Sequence, residues 1–254
     1  MMVGQSPGIR TVGRASGRPR PRLTLVTEFQ LVIDDRSMSV PHGVQRLLAF
    51  LALAGQPVTR SRVAGQLWLD VPEWRALGNL RSALWRLGRL PRGLVWSLDD
   101  RLSLDTDVEV DLAELTQLST QLIDATNAAG LTRLSLLINA TEVLPGWEDE
   151  WIAVDRERFR ERRVHALERA GEALLDSGNH PAAVQAALAA IDAEPYRDSA
   201  HRLLIRVHLA EGNAAAAVRS YLAYRDLMES ELGIEPSDRM RELIAGFGGR
   251  RTLG

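Results

Sequence analysis

The chain has 254 residues, 45% of them hydrophobic and 25% charged, a globular composition with room for one large or two compact domains. No stretch reaches the roughly 18 uninterrupted apolar residues of a membrane span, and the basic opening segment lacks the apolar core of a signal peptide, so a cytoplasmic protein with no membrane contact is expected. With no cysteine, no disulfide, thiol nucleophile or thiolate metal site is available, and the five histidines include no metalloprotease-type pair, so neither a cofactor nor a metal is expected.

A net charge of −2 hides an asymmetry. Residues 1–104 carry fifteen Arg against seven acids, whereas residues 105–254 carry sixteen Arg against twenty-six acids. A basic front joined to an acidic back suits a chain whose first part meets a polyanion and whose second part meets something else. Every basic residue is Arg, which removes the phosphate-loop lysine and the Schiff-base lysine from consideration.

Residues 1–21, rich in Gly, Ser, Pro and Arg, read as a flexible Arg-rich arm. From Leu23 short β-like runs succeed one another: Leu23 to Val26, Phe29 to Ile33, the turn signal Asp34-Asp35, and Met38 to Val40. Val44 to Ala54 has apolar residues at helical spacing and is closed by Gly55 and Pro57; Thr59 then caps a second helix running to about Trp68. A third helix is predicted from about Trp74 to Leu90. Leu94, Trp96 and Leu98 alternate, Asp99-Asp100 turn the chain, and Leu102 and Leu104 alternate back, which predicts a hairpin. Strands, three helices and a hairpin make an α+β winged helix-turn-helix over residues 22–104.

Residues 105–111 are expected to be a linker. Beyond it the β signals vanish, and helices are predicted over roughly 112–128, 131–143, 150–176, 181–193, 198–210, 214–231 and 237–245, with a tail over 247–254. Eight of the fifteen positions from 175 to 189 recur at an offset of 34, among them Gly178/Gly212, Asn179/Asn213 and Leu188/Leu222. That period and its Gly-Asn turn fit a tetratricopeptide-like helical hairpin, so residues 112–246 are read as all-α. The predicted fold is therefore mainly α, a winged helix followed by a helical-hairpin domain.

The third helix carries the chemistry. Leu77, Leu80, Leu84 and Leu87 cluster on one stripe, Arg75, Ser82, Arg86 and Arg89 lie opposite, and Asn79 and Arg81 flank them. Between Arg75 and Arg92 there are five Arg and no acid. An α-helix fits the major groove of double-stranded DNA, where Arg reads guanine and Asn reads adenine through paired hydrogen bonds. Arg60 and Arg62 at the start of the second helix suit phosphate, and Arg101 beside the Asp99-Asp100 turn puts a cation at the wing tip. Trp85 falls on the outer side, and His42 is read as structural. A solvated charged face would usually mix signs, which this helix does not.

The run Asn79-Leu80-Arg81-Ser82-Ala83-Leu84-Trp85-Arg86-Leu87, then Val110-Asp111, then Glu231-Leu232-Gly233-Ile234-Glu235-Pro236-Ser237, resembles the Streptomyces antibiotic regulatory protein family over about residues 22–246. The resemblance implies an OmpR-type DNA-binding domain joined to a bacterial transcriptional activation domain of tetratricopeptide type. It further implies binding to promoter direct repeats as a homodimer or larger assembly, recruitment of RNA polymerase through sigma-factor and alpha-subunit contacts, a role at a biosynthetic gene cluster and a place at the nucleoid. The arm at residues 1–21 is not part of the family pattern, and Leu112 to Val143 is a poor repeat.

Two other classes compete with this reading. An enzyme is disfavoured because no phosphate loop, Gly-x-Ser-x-Gly turn or His-Glu-x-x-His is present, and no catalytic residue is assigned. A helical-repeat scaffold that binds protein, or a repressor using the same DNA-binding part, shares the layout; the scaffold would lack the steep salt dependence of DNA binding.

Overall fold

The computed structural model describes residues 19–246; the predicted arm, apart from its last three residues, and the predicted tail lie outside the described residues. In chain order the elements are β1 (Arg22–Thr24), β2 (Gln30–Ile33), β3 (Arg36–Ser37), α1 (His42–Ala54), β4 (Val58–Thr59), α2 (Arg60–Leu67), α3 (Glu73–Leu87), β5 (Val95–Leu98), β6 (Arg101–Leu104) and β7 (Glu109–Val110). Then come α4 (Asp111–Asp124), α5 (Ala128–Thr132), α6 (Leu134–Asn139), a 3₁₀ turn (Glu150–Ile152), α7 (Ala153–Asp176), α8 (His180–Ala193), α9 (Asp198–Ala210), α10 (Ala214–Leu232) and α11 (Asp238–Ile244). The chain is mostly helical, with its sheets at the N-terminal end, as expected.

Two small sheets frame the first three helices, one in the order β3-β2-β1-β7 and one in the order β4-β6-β5. Asp34 and Asp35 both take positive φ (48° and 60°), the pair of left-handed residues that lets a two-residue loop follow the strand twist. Pairing therefore resumes at once, and β3 is Arg36–Ser37 rather than the expected Met38 to Val40. Thr59 caps α2 as expected, its hydroxyl accepting the Arg62 amide at 3.4 Å.

The expected hairpin forms, and its register decides which of its apolar residues are covered. Register pairs Ser97 with Leu102, which is fully buried, so Ser97 points to the same side of the hairpin as Leu102 although it is itself exposed. Trp96 and Leu98 then occupy the opposite face and are 45% and 54% exposed. Alternation revealed the strand, but only the pairing register decided which side faces water.

The first sheet also ties the N-terminal elements to the helical part of the chain. Within residues 105–111, β7 pairs in parallel with β1. The Asp111 carboxylate accepts the Leu25 amide at 2.8 Å and the Val26 amide at 3.0 Å. Burial pushes the Asp111 carboxyl above the usual carboxylate range, while those amides and that of Leu112 pull it back. Val143 bridges Val26, the Thr27 amide donates to the Glu142 carbonyl, and Arg46 pairs with Asp149. The expectation that β structure ends before residue 105 is thereby corrected: Glu109–Val110 and Val143 are extended because β1 and its flank supply partners, a cause with no local signature. The helix expected over 131–143 is accordingly shorter and split, into α5 and α6.

From α7 onward the predicted helical hairpins form, α7 against α8 and α9 against α10. Gly178 and Gly212 have φ of 75° and 74°, and the residue after each donates its amide to the carbonyl five back, Asn179 to Leu174 and Asn213 to His208. The same left-handed helix end thus recurs 34 residues later. Gly171 lets α9 approach α7, since a Cβ there would lie 2.5 Å from Leu203 Cδ2. Between these helices Arg197 bonds Glu168 and Arg206 bonds Glu172.

Candidate nucleic-acid interface

Packing of α3 on α1 and α2 buries Ala76, Leu80, Ala83 and Leu87, with Leu77 and Leu84 half-buried. The opposite surface has two stripes. Arg75, Asn79, Ser82 and Arg86 recur at helical spacing on one, with Asn79 half-buried and the other three exposed. Arg81, Trp85 and Arg89 form the second, Arg89 lying just past the helix end. Ser82 donates its hydroxyl to the Gly78 carbonyl at 3.0 Å, leaving the oxygen lone pairs outward. Asn79, Ser82 and Arg86 also line a shallow groove whose far wall is Pro41, Gly43 and Trp68.

Two tryptophans belong to this surface. Trp74 and Trp85 are 67% and 60% exposed; the Arg75 guanidinium lies 5.1 Å from the Trp74 ring centre, and that of Arg89 lies 3.8 Å from the Trp85 ring centre. The outward placement expected for Trp85 is observed. Trp74 and Trp96 were not singled out from the sequence; for Trp74 the signal was its position beside Arg75 at a helix start, and for Trp96 there was none.

Arg60 and Arg101 join α2 to the hairpin. The Arg60 amide donates to the Asp100 carbonyl at 2.9 Å, and its Nη2 donates to Ser97 Oγ at 2.9 Å. Arg101 Nη1 donates to the Pro57 carbonyl at 3.2 Å. Arg62 is exposed on the first turn of α2. His42 sits edge-on to Trp147, ring centres 4.9 Å apart, in keeping with a packing role.

The arginines of this surface share one electrostatic feature. Among the described residues, Arg60, Arg62, Arg75, Arg81, Arg86, Arg89 and Arg101 form no ion pair within 4 Å, whereas most arginines of the helical part do, namely Arg133, Arg156, Arg158, Arg160, Arg197, Arg202, Arg206, Arg225 and Arg241; Arg162, Arg163, Arg169, Arg219 and Arg239 are the exceptions there. Beyond the end of α3 the pattern changes, and Arg92 is held by Asp34 at 2.8 Å. An unpaired guanidinium on the surface keeps its full field for a polyanion, while a paired one is largely neutralised. Of the arginines from Arg156 to Arg163, two turn inward while Arg158 and Arg162 stay exposed. Arg156 donates to the carbonyls of Val143, Leu144 and Trp147, and Arg163 to those of Leu137 and Ile138. No group of three or more metal-ligating side chains occurs among the described residues, and no helix among them is long and apolar enough to cross a membrane.

The family model described as bacterial transcriptional activator domain matches residues 104–246. The chain belongs to that family. This is the domain that the resemblance to the Streptomyces antibiotic regulatory protein family implied for the helical part. The chain is 29% identical over 221 residues to the regulatory protein AfsR of Streptomyces coelicolor, and 27% identical over 217 residues to AfsR of Streptomyces griseus. These alignments cover 83% and 82% of this chain but 22% of each relative, so the chain spans about a fifth of the length of the curated relatives it matches. In fold it is similar to Mycobacterium tuberculosis EmbR, solved in complex with a low-affinity phosphopeptide, with a TM-score of 0.67 at 21% identity over 88% of this chain and 64% of that one.

Proposed function

We propose that this chain is a sequence-specific DNA-binding transcriptional activator that reads promoter direct repeats through α3 and the β5-β6 wing. On this reading residues 22–104 are the DNA-reading domain and residues 112–246 the activating domain. It binds as a homodimer on the repeats and recruits RNA polymerase through its sigma factor and alpha subunit, at the nucleoid and for a biosynthetic gene cluster. Seven arginines on or beside α2, α3 and the wing, without acid partners among the described residues, carry the proposal. Arg75, Arg81, Arg86 and Arg89 with Asn79 and Ser82 are the groove-facing set; Arg60, Arg62 and Arg101 hold phosphates.

Footprinting and binding titrations test it. Arg86→Ala and Asn79→Ala are expected to lose roughly 1–3 kcal/mol at selected base pairs, whereas Arg60→Ala weakens all sequences alike and reduces the salt slope by about one unit. Equal losses on operator and random DNA for all three variants overturn the assignment. In a purified polymerase assay the wild-type chain should raise transcription from the footprinted promoter; lowered transcription would make it a repressor.

A further inference from the structure

The Arg163 side chain lies in α7 with only 5% of its surface exposed. Two of its three nitrogens are used: Nε donates to the Leu137 carbonyl at 2.8 Å and Nη2 to that of Ile138 at 3.2 Å. Among the described residues Nη1 has no protein acceptor and is open to the adjoining cavity, and no carboxylate lies within 4 Å of the guanidinium. The guanidinium is always charged, and with Nε and Nη2 held by carbonyls its free Nη1 can give an anion in the cavity a charge-assisted hydrogen bond. Burial pulls the Arg163 guanidinium below the ordinary arginine value, and Asp192, at the end of α8, opposes this from a distance.

Arg163 lines a cavity of about 540 Å³ between the end of α6, α7 and the end of α8. One side is apolar, formed by Ile138, Phe159 and Ala193. The other charged side chains on its wall are already matched, Arg156 by Glu142 and Arg160 by Glu157 and Glu194. That leaves one unpaired cation, Arg163, and one exposed carboxylate, Asp192, on the cavity wall.

We propose that this cavity is a binding site for a small amphipathic carboxylate, its anionic end on Arg163 Nη1 and its apolar body against Phe159 and Ile138. The volume falls within the roughly 300–1,000 Å³ of small-molecule sites, and an apolar wall with one convergent charged group is the usual lining. A ligand that also carries an amine presents it toward Asp192. The site uses no residue assigned to DNA, so the proposal stands apart from the DNA-reading assignment and its test involves no DNA.

The test is calorimetric titration of the full chain with 4-methylpentanoate, leucine and 3-methylbutylamine, which share an apolar body and differ in charge. The expected result is saturable binding of both carboxylates at about 1 mM or tighter, with the amine weaker by roughly tenfold or more. Arg163→Gln should weaken both carboxylates by a similar factor. Because that variant also loses bonds to Leu137 and Ile138, Ala193→Phe, which fills the cavity from the end of α8 and leaves Arg163 intact, is the second arm and should abolish binding with unchanged circular dichroism. Absence of binding by either carboxylate, equal binding of the amine, or undiminished binding by Ala193→Phe overturns the proposal.

Discussion

Replacing Asp111 by Ala isolates the contact that holds the N-terminal sheet to the first helix of the activator domain. The carboxylate accepts the amides of Leu25 and Val26, whose residues are 0% and 4% exposed, so water cannot take its place without opening the sheet. Each buried amide left without an acceptor costs about 1–3 kcal/mol, giving about 2–6 kcal/mol for the pair. Burial of the charge itself is unfavourable, as the raised carboxyl shows, and its removal returns part of that cost. The net expectation is a loss of about 2–4 kcal/mol, which for a chain of this size lowers Tm by roughly 5–15 °C. Asp111→Asn keeps one acceptor oxygen and should lose about half as much. Glu114→Ala, three residues on and exposed in its pair with Arg133, should change stability by less than about 1 kcal/mol. Urea denaturation followed by circular dichroism reads all three. An Asp111→Ala chain within about 0.5 kcal/mol of wild type would falsify the reasoning, because the two amides would then have another acceptor.

Gly171→Ala gains about 1 kcal/mol in helix propensity but forces its methyl onto Leu203, which is 1% exposed, at a cost of about 1–3 kcal/mol, so it should destabilise the chain alone and stabilise it in a Leu203→Ala background, as a double-mutant cycle by denaturation would show. Gly178→Val and Gly212→Val meet no neighbouring atom, so their cost is backbone strain of about 2 kcal/mol each; operator occupancy by footprint should persist while transcription in a purified polymerase assay falls. His201 stacks on Tyr224 with ring centres 4.1 Å apart and shares a 2.8 Å hydrogen bond between Nε2 and the Pro195 carbonyl, and burial lowers its pKa from 6.5. The unfolded chain therefore binds this proton more readily than the folded one, so the contribution of neutral His201 is fully present above about pH 6.5 and is lost as pH falls toward the lower folded value. Denaturation midpoints measured between about pH 7.5 and 5.5 should fall with acid in wild type and flatten in His201→Phe; an unchanged slope in the variant would assign the effect to another group.

Local chemistry sufficed wherever a residue's role depends on its near neighbours. The period of 34 and its Gly-Asn pairs placed two identical left-handed helix ends, since only backbone freedom at Gly178 and Gly212 was at issue. The apolar stripe of α3 likewise identified the side that packs, and so left Arg75, Ser82, Arg86 and Arg89 outside. Features left open by the sequence depend on partners far along the chain. Trp96 and Leu98 face water because Ser97 is paired with Leu102, a parity that alternation in β5 alone does not contain. Residues 105–111 read as a connection, yet β7 and Asp111 take their partners from β1 and its flank more than eighty residues earlier. Nothing in the residues next to Arg163 marks it for burial; that comes from the carbonyls at the end of α6, about twenty-five residues before it, and from the helices packed around it. A strand's face, a cap received from a distant segment and a buried charge are each decided by long-range packing, whose energy has no local counterpart in the amino-acid order.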